Sequence, residues 1–306
     1  MHPLRVASID CGTNSIRLLV ADVVDGRLVD VHREMRVVRL GQGVDRTGVL
    51  APEALDRTFG ALREYVALLR GVDRVRMVAT SATRDARNAA EFVDGCTAIL
   101  GVAPEVVSGD EEARLSFRGA TAELSGFPAP YVVCDIGGGS TEFVLGGDDV
   151  EQARSVDVGC VRLTERRLRS DPPTADEVAA AVAGIGAALD RVDVDVARGR
   201  TFVGLAGSVT TVAALALGLP AYDPDAIHLA RIGAAQVEEV TARLLAASRA
   251  ERAAYAVMHP GRVDVIGAGA LVLREIMRRW SIADVVASER DILDGIAWSI
   301  ADGSNA

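Results

Sequence analysis

The sequence predicts an α/β fold made of two related lobes, and three observations carry that expectation. Two stretches repeat one another, Asp10-Cys-Gly-Thr-Asn-Ser-Ile-Arg17 and Asp135-Ile-Gly-Gly-Gly-Ser-Thr-Glu142. Each lies between apolar runs (4–9 and 18–20; 131–134 and 143–145), so each reads as a strand, a glycine turn and a returning strand with an Asp at its mouth. Strand-like and helix-like segments then alternate along the chain, the pattern of layered α/β domains. The stretch Gly126-Phe-Pro-Ala-Pro130 breaks the chain just ahead of the second repeat. The expected lobes are therefore 1–125 and 126–306, facing each other across a cleft, with the last helix a candidate to pack back on the first lobe.

The first lobe opens with strands over 4–10, 15–24 and 27–38. A helix over 52–70 follows, with Pro52 in its first turn and Leu55, Phe59, Leu62, Val66 and Leu69 at helical spacing. A strand near 75–80, a helix through 88–100, a strand near 103–107 and a helix from 109 to about 122 complete it. The second lobe repeats the opening with strands at 131–135, 140–146 and 152–157. It then turns mostly helical, over 160–169, 174–191, 208–217, 233–247 and 267–280, interrupted by strands at 200–205 and 283–287.

At 306 residues the chain can hold two domains, each with its own core. Charges interrupt every apolar stretch well short of the roughly 18 residues a membrane span needs. The opening Met1-His-Pro-Leu-Arg5 has no signal-peptide architecture, so a cytoplasmic protein without membrane contact is expected. Cys11, Cys96, Cys134 and Cys160 include no Cys-x-x-Cys pair, which argues against a disulfide framework or zinc site. Cys11 and Cys134, each beside a hairpin Asp, are expected to be small buried fillers. His2, His32, His228 and His259 lack metal-ligand spacing.

All 33 basic residues are Arg, which excludes a Walker lysine, a Schiff-base lysine or a Ser-Lys dyad. A net charge of -10 argues against nucleic acid as a partner. For a polyanionic substrate it demands a local positive site or a bound cation.

Glycine and small hydroxyl residues let backbone N–H groups approach an anion closely, the requirement of a phosphate cradle. Gly12, Thr13, Asn14 and Ser15 form the first candidate cradle, and Gly137, Gly138, Gly139 and Ser140 the second. Seven residues beyond each Asp the copies diverge: Arg17 suits a phosphate oxygen, whereas Glu142 with Asp135 suits Mg²⁺ or an attacking water. The segment from Thr80 to Asn88, with Arg84 and Arg87, reads equally as an anion fork or as an ordinary capped helix start. Ser108 and Glu111 fit a capping box; Glu112 has no such duty. On spacing alone Glu112 complements a helix dipole, although a carboxylate at a strand end can also serve as general base. Gly207 and Ser208 open another strand–glycine–helix anion arrangement. Gly267-Ala-Gly269-Ala reads as close helix packing.

At these residues the chain resembles the exopolyphosphatase and guanosine pentaphosphate phosphatase family, within the actin-like ATPase superfamily. The likeness is carried in order by the two hairpins, by Thr80-Ser-Ala-Thr-Arg84, Ser108-Gly-Asp-Glu-Glu-Ala113, Ala206-Gly-Ser-Val-Thr-Thr211 and Val263-Asp-Val-Ile-Gly-Ala-Gly-Ala270. The resemblance implies two actin-like lobes of the ribonuclease H type and metal-dependent hydrolysis of terminal phosphoanhydrides. The family's catalytic glutamate falls on Glu112, its motif arginine on Arg84, and its metal and water carboxylates on Asp135 and Glu142. Longer members carry an added helical domain, absent from these 306 residues, so short chains are the expected substrates. The family's Gly-Leu-Arg near the end is replaced here by Asp291-Ile-Leu293. A homodimer is implied by the resemblance alone.

The expected activity is release of terminal orthophosphate from inorganic polyphosphate. Mg²⁺ at Asp135 and Glu142 would screen charge, the turn amides would hold phosphate oxygens, Arg17 and Arg84 would bind phosphate, and Glu112 would deprotonate water. The same residues could serve the 5′ γ-phosphate of guanosine pentaphosphate. An actin-like ATP-dependent kinase and a non-catalytic polyphosphate or nucleotide sensor are the other readings. Phosphate release without an acceptor separates the first two from the kinase, and binding without release marks the sensor.

Overall fold

Two compact units make up the computed structural model, which describes residues 3–303: one runs to Gly119 and resumes at Asp291, the other spans Ala120–Arg290. His2 lies outside the described residues. The chain runs β1 (Leu4–Cys11), β2 (Ser15–Val24), β3 (Arg27–Val37), α1 (Val44–Thr47), α2 (Pro52–Val66), β4 (Arg74–Ala79), α3 (Ser81–Arg84), α4 (Ala89–Leu100), β5 (Glu105–Val106) and α5 (Gly109–Thr121). The second unit continues with β6 (Tyr131–Ile136), β7 (Thr141–Gly146), β8 (Val150–Val156), α6 (Cys160–Arg167), α7 (Ala175–Leu189), β9 (Thr201–Leu205) and α8 (Ala206–Ala216). It ends with α9 (Pro224–Ile227), β10 (Arg231–Gly233), α10 (Ala234–Ala246), α11 (Arg249–Ala253), α12 (Ile266–Arg279) and β11 (Asp284–Ala287), after which α13 (Ile292–Ala301) belongs to the first unit.

The two units repeat one topology. The first sheet is ordered β3-β2-β1-β4-β5, and the second holds β8-β7-β6-β9-β11 in the same sequence, with β10 added at the edge. In each, the first three strands are antiparallel, and the next two run parallel to the first. The expected α/β class is therefore what the chain adopts, as two mixed sheets with helices. Parallel strands end together, so the glycine turn after β1 lies at the same sheet end as the loops leaving β4 and β5. The turn after β6 lies likewise with the loops leaving β9 and β11. Loops at the carboxyl ends of parallel strands are where α/β folds place ligands.

Period-two alternation sorts the first sheet's faces. Ala7, Ile9 and Cys11 pack with Ile16, Leu18 and the residues of α2 and α4. Val6, Leu19, Ala21 and Val78 face Ile292, Leu293, Ile296 and Ile300 of α13. A Cβ on Gly295 would stand 1.9 Å from the Leu115 carbonyl oxygen, so α13 and α5 touch backbone to backbone and only glycine fits there. Asp291 caps α13, accepting from the Leu293 N–H at 3.0 Å.

Three expected elements shift their bounds for local reasons, and α1, α9, β10 and α11 are additional. The helix over 52–70 stops at Val66, where i−3 bonds from Ala67 and Leu68 tighten the chain before left-handed Gly71. The strand near 103–107 shrinks to Glu105–Val106, immediately after Pro104, which has no N–H for a ladder. The helix expected from 208 begins at Ala206, a residue held at φ 66°.

Candidate active site

In the first unit the turn after β1 is closed by the Gly12 N–H donating to the Ser15 carbonyl at 2.9 Å. The Asn14 carbonyl accepts from Val38 and Arg39, and the Thr13 carbonyl from Gly41, so the loop after β3 braces the turn. Thr13 Oγ1 and Ser81 Oγ lie 3.0 Å apart, which joins the turn to the α3 segment. From the end of α3, Arg84 donates to the Val107 carbonyl at 2.7 Å and to Glu112 Oε2 at 3.2 Å. Glu112 is 9% exposed and occupies the first turn of α5. Ser108 Oγ accepts from the Glu111 N–H at 3.2 Å, one half of the expected capping box, while the Glu111 carboxylate lies 3.7 Å from Arg76. Thr13, Arg84 and Glu112 thus share one sheet end.

Arg17 is engaged by two carboxylates. The β1–β2 register sets it opposite Asp10, and its guanidinium pairs with Asp10 at 2.6 Å and with Asp291. Burial raises the Asp10 carboxyl above its ordinary 3.8, an effect that the Arg17 charge and hydrogen bond only partly offset. Asp10 Oδ1 is buried with no hydrogen-bond partner.

In the second unit the same turn recurs: the Gly137 N–H donates to the Ser140 carbonyl at 3.1 Å. The first amide of each cradle is therefore spent inside its own turn. The start of α6 covers the other side, with Cys160 N–H on the Gly137 carbonyl and Val161 and Arg162 N–H on that of Gly138. Arg162 Nε reaches the Gly139 carbonyl at 2.7 Å. Asp135 stands directly opposite Glu142 across β6–β7, and both are buried. Ser155, next across on β8, donates to Glu142 Oε1 at 2.7 Å.

The loop leaving β9 brings Gly207 and Ser208 into the first turn of α8. A Cβ on Gly207 would meet the Arg262 guanidinium carbon at 2.3 Å, so glycine lets that guanidinium rest on the backbone. Arg262 also donates to Thr211 Oγ1 at 3.3 Å. Ser208 lies beside Cys160, whose thiol burial pushes up to about 11 against the Ser208 hydrogen bond. Burial also holds Cys11 and Cys134 well above the ordinary thiol range, which makes them inert at neutral pH.

Among the described residues no group of three or more His, Cys, Asp or Glu is placed to hold a metal ion. Asp135 and Glu142 remain a two-carboxylate oxygen donor set. That set suits Mg²⁺, which is commonly held by one or two carboxylates and completes its shell with water and phosphate oxygens.

Four residues of this region have no role assigned from the sequence. Asp10 was legible, as the repeat partner of Asp135. Ser155 could be found only through the β7–β8 register. Arg262 precedes the Val263–Ala270 motif without any spacing that ties it to Gly207, and Asp291 is 274 residues from the Arg17 it meets.

Comparison with known proteins finds relatives over nearly the whole chain. A sequence model of the Ppx/GppA phosphatase family matches residues 19–303. Exopolyphosphatase 2 of Mycobacterium tuberculosis is 54% identical over 97% of this chain and 98% of its own. The crystal structure of an exopolyphosphatase-like protein matches with a TM-score of 0.95 at 44% identity, covering 98% of both chains. The Aquifex aeolicus Ppx/GppA family member matches with a TM-score of 0.83 at 32% identity, covering 99% of both.

Proposed function

The chain belongs to the Ppx/GppA phosphatase family, and from that premise we propose that it is an exopolyphosphatase, releasing terminal orthophosphate from inorganic polyphosphate. The observation that carries this reading is Glu112, a buried carboxylate held by Arg84 at a strand end. The mycobacterial relative's name supplies the substrate class.

Glu112 would orient the attacking water and take its proton, with Arg84 fixing Oε2. Backbone amides of Thr13 and Asn14, and of Gly138 to Ser140, would hold phosphate oxygens, while the Gly12 and Gly137 amides close their turns. Gly207 and Ser208 at the start of α8, with Arg262 on the Gly207 backbone, form a further anion-binding element. Asp135 and Glu142 would hold Mg²⁺, and Ser155 would orient Glu142. When bound, that ion supplies charge neutralisation for the phosphoryl group.

The test is orthophosphate release from polyphosphate by wild type and Glu112→Gln, with guanosine pentaphosphate as comparator. The variant is expected to lose on the order of 10²–10⁴-fold in kcat, the usual scale of general-base catalysis, with KM little changed. Near-normal turnover would remove Glu112 from the chemistry. Release from guanosine pentaphosphate alone would overturn the substrate.

A further inference from the structure

The second unit has a cavity of about 240 Å³ at the end of its sheet away from the glycine turn. Val132, Thr201 and Asp284 line it, and these stand at the beginnings of β6, β9 and β11, whereas Asp135 and Leu205 stand near the ends of theirs. Buried Val132 and Phe202 form the floor, and Trp280 stands in the wall.

The charges around the cavity are not equivalent. Arg231 donates to Asp284 Oδ1 at 2.9 Å, and its guanidinium lies 5.2 Å from the Phe127 ring centroid. That ion pair cancels the acid, so Arg200 sets the sign of the site. Arg200 is exposed and makes no side-chain hydrogen bond or ion pair among the described residues. Ser281, between Trp280 and Ile282 in the wall, holds φ 51° where α12 ends, and the Ile282 N–H donates to the Met277 carbonyl at 2.9 Å in an ordinary helix cap.

We infer that this cavity binds a nucleoside monophosphate, its base against Trp280 and its phosphate on Arg200. An aromatic wall suits a planar base, and a free guanidinium suits a phosphate. The volume lies just below the roughly 300–1,000 Å³ of small-molecule sites, the scale of one small ligand. A nucleoside monophosphate has no phosphoanhydride, so it is not a substrate for the hydrolysis proposed above. The cavity is nonetheless connected to the second hairpin. Trp280 packs on Phe143 at 5.5 Å, and Phe143 follows Glu142 on β7.

The experiment titrates AMP, GMP, UMP and inorganic phosphate into wild type and Arg200→Glu, by calorimetry and tryptophan fluorescence. At least one mononucleotide is expected to bind with a Kd at or below about 1 mM, weakened about tenfold or more by Arg200→Glu. Polyphosphate turnover of the variant should match wild type, and saturating tripolyphosphate should leave nucleotide binding in place. Failure of all three nucleotides to bind, binding indifferent to Arg200→Glu, or displacement by tripolyphosphate overturns the proposal. Inorganic phosphate binding as tightly as the nucleotides overturns the role given to the base.

Discussion

The first hairpin and the second share a backbone and differ in charge at one cross-strand position. Across β1–β2 Asp10 stands opposite Arg17; across β6–β7 Asp135 stands opposite Glu142. The first pair neutralises itself and recruits Asp291 as a second acceptor for the guanidinium. The second places two carboxylates at opposed positions, where a bound cation would be favourable. One scaffold thus yields an internal ion pair in one unit and, in the proposed reading, a seat for a cation in the other. Repetition of a motif specifies the backbone, while a single residue decides what the repeat can hold.

Removing charge should therefore act in opposite senses on the two hairpins. Arg17→Leu leaves Asp10 and Asp291 buried without their cation, and breaking such a pair costs about 3 kcal/mol or more. The low end applies because Asp10, already raised by burial, can take up a proton. Urea unfolding at neutral pH measures this, and a loss below about 1 kcal/mol would make the pair no stronger than a surface bridge.

Glu142→Gln should instead keep or raise stability in metal-free buffer, because it relieves a like-charge pair. Its kcat should fall on the order of 10²-fold, the scale of losing one electrostatic contact in a catalytic site. A stability loss matching that of Arg17→Leu would break the contrast between the hairpins.

Ser155→Ala tests the support behind Glu142. Half-saturating Mg²⁺ should rise about tenfold, as when an outer-shell partner is removed, with kcat at saturating metal nearly retained. An unchanged Mg²⁺ dependence would show that the 2.7 Å hydrogen bond does nothing for the metal.

The smallest effect is a slope with pH. Because the folded Asp10 carboxyl lies above its ordinary 3.8, the folded chain holds that proton longer than the unfolded chain does. Its contribution to stability therefore declines as pH rises from about 4 through the folded value. Asp10→Asn should flatten that decline in denaturant titrations; an unaltered slope would assign the decline to another group.

Much of the local structure is legible in the sequence. β2 was expected over 15–24 and runs Ser15–Val24, because apolar alternation and a glycine turn are properties of neighbouring residues. Helix α12 is expected over 267–280 and runs Ile266–Arg279. Even α13 left a trace, since Asp291 and Asp294 form the capping box that opens it. The two candidate cradles could be named because glycine followed by small hydroxyl residues has a conformational meaning by itself.

By itself the sequence determined two glycine-turn hairpins, their order within an α/β chain, and the opposite charges carried by Arg17 and Glu142. Only the tertiary structure decided that Arg17 is held between Asp10 and Asp291, that Arg84 meets Glu112, and that Arg262 lies on Gly207. The physical reason is range: turns and alternation are short-range effects of adjacent residues. A guanidinium finds its carboxylate only after strands and helices far apart in the chain have packed their apolar faces together.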